Sequence, residues 1–183
     1  MPVIWTVFDS AIGSAIGRAI GSVMYGMMNS AIRKHLVRET LVSTIINSVL
    51  SFAITFLVLA GNDIVLRQAL VIDALPQTFA VTFFSVFVPT FLTRKKIKSG
   101  QLQTLPFRKT WLPNNAFFRA VLCGLLAAIV GGLAHFAVLT GLQIEELMIS
   151  TVFIYKTLYG AVISILITPV ALRIVLHESG KTI

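Results

Sequence analysis

The sequence predicts an all-α membrane protein: four transmembrane helices arranged as two tandem, parallel-repeat hairpins, preceded by an amphipathic, glycine-rich N-terminal helix. Three observations carry that prediction. Of 183 residues, 56% are hydrophobic and 12% charged, with a mean hydropathy of +0.89, too little polar surface to keep such a chain in water. Four apolar runs each reach the roughly 20 residues that a helix needs to cross the hydrocarbon core. Sliding the chain by 80 residues places the second half on the first with 8 identities in the 44 pairs that start at Leu57.

The first element covers residues 1–35. Between residues 4 and 32 there are two charges, Asp9 and Arg18, and the segment ends on Arg33, Lys34 and His35. At 100° per residue, the alanines and isoleucines of SAIGSAIGRAIG form one broad face, opposed by serines, glycines and Arg18. That pattern favours a helix lying in the cytoplasmic interface. Gly13, Gly17 and Gly21 form a glycine zipper that invites a second helix, and Arg18 decides between lying and crossing. If the segment crosses, it becomes a fifth span.

The first hairpin, residues 36–100, holds spans near 41–60 and 70–93. The first of these is free of charge; the second contains Asp73, Pro76 and Pro89, and membrane helices tolerate prolines where neighbours satisfy the freed carbonyls. The second hairpin, residues 101–183, holds spans near 116–141 and 147–172 and a short C-terminal tail. None of the four runs alternates polar and apolar residues, which excludes a barrel wall.

Orientation follows from charge. Residues 94–114 carry Arg94, Lys95, Lys96, Lys98, Arg108 and Lys109 with no acid, whereas the other two connections hold Asp63, Glu145 and Glu146 against Arg67 alone. Basic residues mark the cytoplasmic side, so the C-terminus is expected there, in an inner or plasma membrane. The same basic loops, with Trp111 beside them, are expected to meet anionic lipid headgroups. The net charge of +8 is therefore read as membrane orientation rather than nucleic-acid binding.

The repeat aligns Gly61 with Gly141, Pro89 with Pro169, and Ser99-Gly100 with Ser179-Gly180. It also predicts packing. Ser43, Asn47, Ser51 and Thr55 recur every fourth residue on the first span, and their equivalents on the third are Cys123, Ala127, Gly131 and His135. Beside them Ala120, Gly124, Ala128 and Gly132 make a small-residue ladder, so the first and third spans are expected to meet at the centre. Phe79, Phe83, Phe87 and Phe91 stack on the second span and suit lipid or the outer side of a helix interface.

Three ionisable groups fall inside the spans: Asp73, His135 and Lys156. A charge at a span's centre costs about 2.5–3.5 kcal/mol on insertion scales, so each needs a reason. Lys156 lies about 14 Å in from Leu147 at 1.5 Å per residue, too deep for easy snorkelling. An Asp73 to Lys156 pair between hairpins is expected, with His135 or Asn47 completing a polar cluster. Because no line of polar groups is evident from there to the cytoplasmic face, a neutralised structural pair is favoured over a substrate path.

No GxSxG, HExxH, P-loop or CxxC arrangement occurs, and the lone Cys123 has no partner. No enzymatic activity, catalytic residue, metal or cofactor is expected. The favoured function is a non-enzymatic scaffold or accessory subunit, joining a homo-oligomer or membrane complex through the glycine-rich helix and the small-residue helix faces. The alternative is a small transporter or channel with a polar path near Lys156, Asp73 and His135.

Overall fold

A computed structural model describes residues 30–59 and 61–181. The glycine-zipper positions Gly13, Gly17, Gly21 and Arg18 lie outside them. Two compact units divide after Arg38, and the helical bundle belongs to the second, from Glu39 onward.

Four long helices account for most of the described residues: α1 (Ser30–Leu59), α2 (Arg67–Lys98), α3 (Ala116–Gly141) and α4 (Ile149–Glu178). Each is long and apolar enough, by length and composition, to cross a membrane. A three-residue turn of 3₁₀ helix, Ser179–Lys181, follows α4. Local chemistry sets several ends. Asn115 caps α3 by accepting the amides of Phe117 and Phe118 at 2.9 and 3.4 Å, which satisfies two of the orphan donors of the first turn. At the far end of α2, Gly100 takes φ +73° while its amide reaches Ile97 O and that of Gln101 reaches Lys96 O, a Schellman closure that favours glycine. Pro76, Pro89 and Pro169 sit inside their helices without ending them.

The two connections opposite the basic loop contain short strands that the apolar pattern does not announce. β1 (Ile64–Leu66) pairs antiparallel with β2 (Glu146–Met148), with Leu66 opposite Glu146. The ladder is extended by Arg67 N to Glu145 O at 2.8 Å and Ile149 N to Asp63 O at 3.0 Å. Three residues are too few to leave a periodic signal; what makes them strands is the neighbouring connection, which supplies partners for their backbone groups. Beneath the ladder Leu59, Val65, Leu70, Leu139 and Val152 form a buried apolar cluster.

The small faces of α1 and α3 do not meet one another, contrary to the expected central contact. The face of α1 turns to α4 and that of α3 to α2. On α1, Ser43, Asn47 and Ser51 pack against α4: Ser51 and the Asn47 carbonyl stand where a side chain at Gly160 would go. On α3, Gly124 lies against Phe79, Gly131 against Thr78 and Tyr159, and Gly132 against Leu75. The ladder of Gly124, Ala128 and Gly132 is thus used within the chain, against α2, with Ala128 half-buried. The phenylalanine stack of α2 joins the same interface: Phe83 and Phe87 meet Phe117 edge-on at 5.7 and 6.3 Å, while Phe91 stays exposed. Rings on α2 fill the space beside the small residues of α3, whereas Gly160 on α4 lets the backbone of α1 come close.

Gly160→Leu is expected to destabilise the fold by about 1–3 kcal/mol, because the new side chain enters space held by Ser51 and the α1 backbone. Gly141→Ala, where nothing lies within 4 Å of the added methyl, should leave thermal unfolding in detergent unchanged.

Candidate functional site

Asp73 enters from the second turn of α2 and Lys156 from the third turn of α4, both with side chains at 1% exposure or less. The Lys156 ammonium stands 3.1 Å from Asp73 Oδ2 and donates to the Leu70 carbonyl, also at 3.1 Å. The approach to Oδ2 makes a buried ion pair, and apart from that ammonium neither carboxylate oxygen has a hydrogen-bond donor. Gln77, one turn further along α2, donates Nε2 to the Lys156 carbonyl at 3.0 Å and leaves Oε1 buried and unpartnered.

His135 reaches the same region from α3. Its Nδ1 lies 3.0 Å from Gly131 O, its ring stands edge-on to Tyr159 at 4.3 Å, and Nε2 is buried without a partner. The Tyr159 hydroxyl is 2.8 Å from Thr78 Oγ1, which lies 2.6 Å from Ala74 O. Asn47 does not join this group. It sits two turns further from the ladder, where its Nδ2 faces Ser43 Oγ at 3.1 Å, Ser85 Oγ at 2.9 Å and Ser164 Oγ at 3.1 Å. An amide nitrogen carries two hydrogens, so only two of those three contacts are filled at once.

These groups are ends of one continuous feature. Along α4 the buried residues Lys156, Gly160, Ser164 and Thr168 follow at one-turn intervals. Along α1 Ser43, Asn47, Ser51 and Thr55 do the same, and along α2 the buried face carries Asp73, Gln77, Thr78, Thr82, Ser85, Thr90 and Thr93. Ser164 and Thr168 donate to Ser43 Oγ at 3.1 and 3.0 Å, closing α4 onto α1. The polar row therefore runs from the ladder end towards the loop end, where Lys96 meets Glu39 at 2.6 Å. Twelve residues of α4 at 1.5 Å each make the stretch from Lys156 to Thr168 about 18 Å long. The expectation that no polar line leaves Lys156 is corrected: single-helix reading sees isolated serines and threonines, and only the meeting of three helices makes them a seam. A cavity of ≈ 70 Å³ between α1 and α2 reaches it from the side at Ser43 and Asn47, with Glu39, Phe84 and Pro89 in its wall.

A second buried cluster, at the loop end, has no counterpart among the sequence expectations. Arg119, in the first turn of α3 and fully buried, donates to Glu178 Oε1 and Oε2 at 2.6 and 2.7 Å and to Pro113 O through Nε and Nη2. Glu178 also receives Thr110 at 2.5 Å and stands 3.5 Å from Arg94, which itself donates to Asn114 O. His177 Nδ1 to Pro106 O, at 2.8 Å, and Leu105 N to Leu176 O, at 3.1 Å, hold the loop over the end of α4. The available signal is Glu178 itself, the single acid after residue 146 on the end rich in cations. No group of three or more His, Cys, Asp or Glu residues that would hold a metal occurs among the described residues.

A family model described as the PRAME N-terminal domain matches residues 53–146, which is 94 of the 183 residues. No curated protein and no solved structure matches the chain.

Proposed function

The chain belongs to the PRAME N-terminal domain family, and we propose that this member is an integral membrane protein whose spans enclose a path for a small polar solute or ion. The observation that carries the reading is the Asp73–Lys156 pair at the head of a buried polar seam shared by α1, α2 and α4. Charged groups inside a bilayer are expensive, and they mark substrate and ion paths more often than they mark packing.

The membrane setting is supported by the inversion of the usual arrangement. Serines, threonines, Asn47, Asp73 and Lys156 are buried, while Val49, Leu57, Val130, Leu133, Ile154 and Leu166 are more than half exposed. In water such a surface would drive aggregation; in lipid it meets a matching solvent, and the helices satisfy their own backbones. Basic residues at the loop end then favour a cytoplasmic setting for that end.

The tandem-hairpin reading also gains support. Leu66 and Glu146 are separated by the 80-residue repeat and are ladder partners, as a two-fold axis passing between them requires. The same axis exchanges the α1–α4 contact for the α2–α3 contact. A parallel repeat of this kind has its axis along the membrane normal, with a shared site between the halves.

The test is flux in proteoliposomes. Lys156→Met is expected to abolish a saturable or selective flux in protein that still elutes as the wild type does. Absence of flux in the wild type sinks the path and returns the chain to a scaffold, assembled through the glycine-rich segment.

A further inference from the structure

The character of the unfilled atoms along the seam narrows the permeant further, an inference that rests on the path reading. Asp73 Oδ1, Gln77 Oε1 and Asn47 Oδ1 are buried acceptor oxygens without a donor, and the buried hydroxyls of Ser51, Thr55 and Thr82 are unpartnered and able to turn a lone pair into the seam. Apart from His135 Nε2, the unfilled atoms of the path are oxygens, and a row of carboxylate, amide and hydroxyl oxygens is the ligand set of a hard cation. The one site with a formal negative charge is already filled by a cation, the Lys156 ammonium, which rests between Asp73 Oδ2 and the Leu70 carbonyl.

We propose that this seam binds a small monovalent metal cation at Asp73, in exchange for the Lys156 proton. Lys156 is an internal stand-in that holds the carboxylate when no metal ion is present. Two positive charges beside one buried carboxylate would leave a net charge in low dielectric, so the incoming cation and the ammonium exclude each other. Charge balance fixes the stoichiometry. One N–H bond of the ammonium breaks, its electron pair stays on Nζ, the proton leaves to water, and one cation takes the carboxylate. The groups that face this exchange are Asp73 from α2, His135 from α3 and the ladder-end carbonyl of Leu70; Tyr159 lies behind His135 on α4's own side. The apolar cluster of Leu59, Val65, Leu70, Leu139 and Val152 covers the ladder end, so the cation reaches Asp73 along the seam from the loop end.

The experiment uses the full chain in liposomes loaded with a pH-sensitive dye, with gradients of sodium or potassium chloride, choline chloride and sodium nitrate. Sodium or potassium, but not choline, is expected to drive proton movement in the wild type. Asp73→Asn should lower that rate about tenfold or more, because the counter-charge is gone. Lys156→Met should still bind sodium, read as a sodium-dependent rise in melting temperature, while releasing no proton. The neutral pair Asp73→Asn with Lys156→Met serves as the folded control and should show neither. Sodium flux without proton movement in the wild type overturns the exchange. Chloride or nitrate flux that depends on Lys156, with no cation movement, overturns the cation assignment and leaves the path intact. Absence of flux for every ion overturns both.

Discussion

Replacing Lys156 by methionine is expected to cost the fold about 3–5 kcal/mol in salt-free detergent, because it strands the Asp73 carboxylate, which pairs with no other lysine or arginine among the described residues. Asp73→Leu should cost a similar amount through the stranded ammonium. The double variant Asp73→Leu with Lys156→Met is expected to recover most of the loss, since two apolar side chains need no compensation. Equilibrium unfolding of all four proteins in one detergent measures the cycle, and a purely additive result would mean that the pair is not coupled. The double variant also separates roles, for it is folded by this argument yet has no charge with which to bind an ion.

Arg119→Leu is the second large effect, again about 3–5 kcal/mol, because Glu178 would keep only the more distant, partly exposed Arg94. The consequence extends beyond stability. Arg119 joins Glu178 to the Pro113 carbonyl and fixes the carboxylate that receives Thr110, so it anchors the 108–115 part of the loop, while His177 and Leu176 hold Pro106 and Leu105. Limited trypsin digestion should then cut at Arg108 and Lys109 much faster than in the wild type. Arg119→Lys keeps the charge but not the fork that spans both carboxylate oxygens, and should fall between the two. Equal digestion rates in all three proteins would show that other contacts hold the loop.

Different parts of this molecule are legible in its sequence at different depths. The positions of the helices follow from unbroken apolar runs, and α3 begins and ends where the third run does. The Asp73–Lys156 pair is legible because an isolated acid and an isolated base inside apolar runs each demand a partner. Which faces pack is not. Small-residue periodicity on α1 and α3 identifies faces that permit close approach, yet close approach needs a complementary surface, and Phe79, Leu75 and Gly160 supply it from α2 and α4. Gln77 and Arg119 are silent in the sequence for a related reason: each is explained by a carbonyl or carboxylate far away along the chain.

The sequence by itself determined the class of secondary structure, the number of apolar helices among the described residues and the end of the bundle that carries the cations. These are properties of short segments, fixed by transfer free energy and by charge, and they do not depend on what lies beside them. The tertiary structure alone decided that scattered serines, threonines and amides make one seam, and that Glu178 is shared between two arginines. A hydroxyl is a surface residue or a ligand according to what faces it, and that is set by which helices meet.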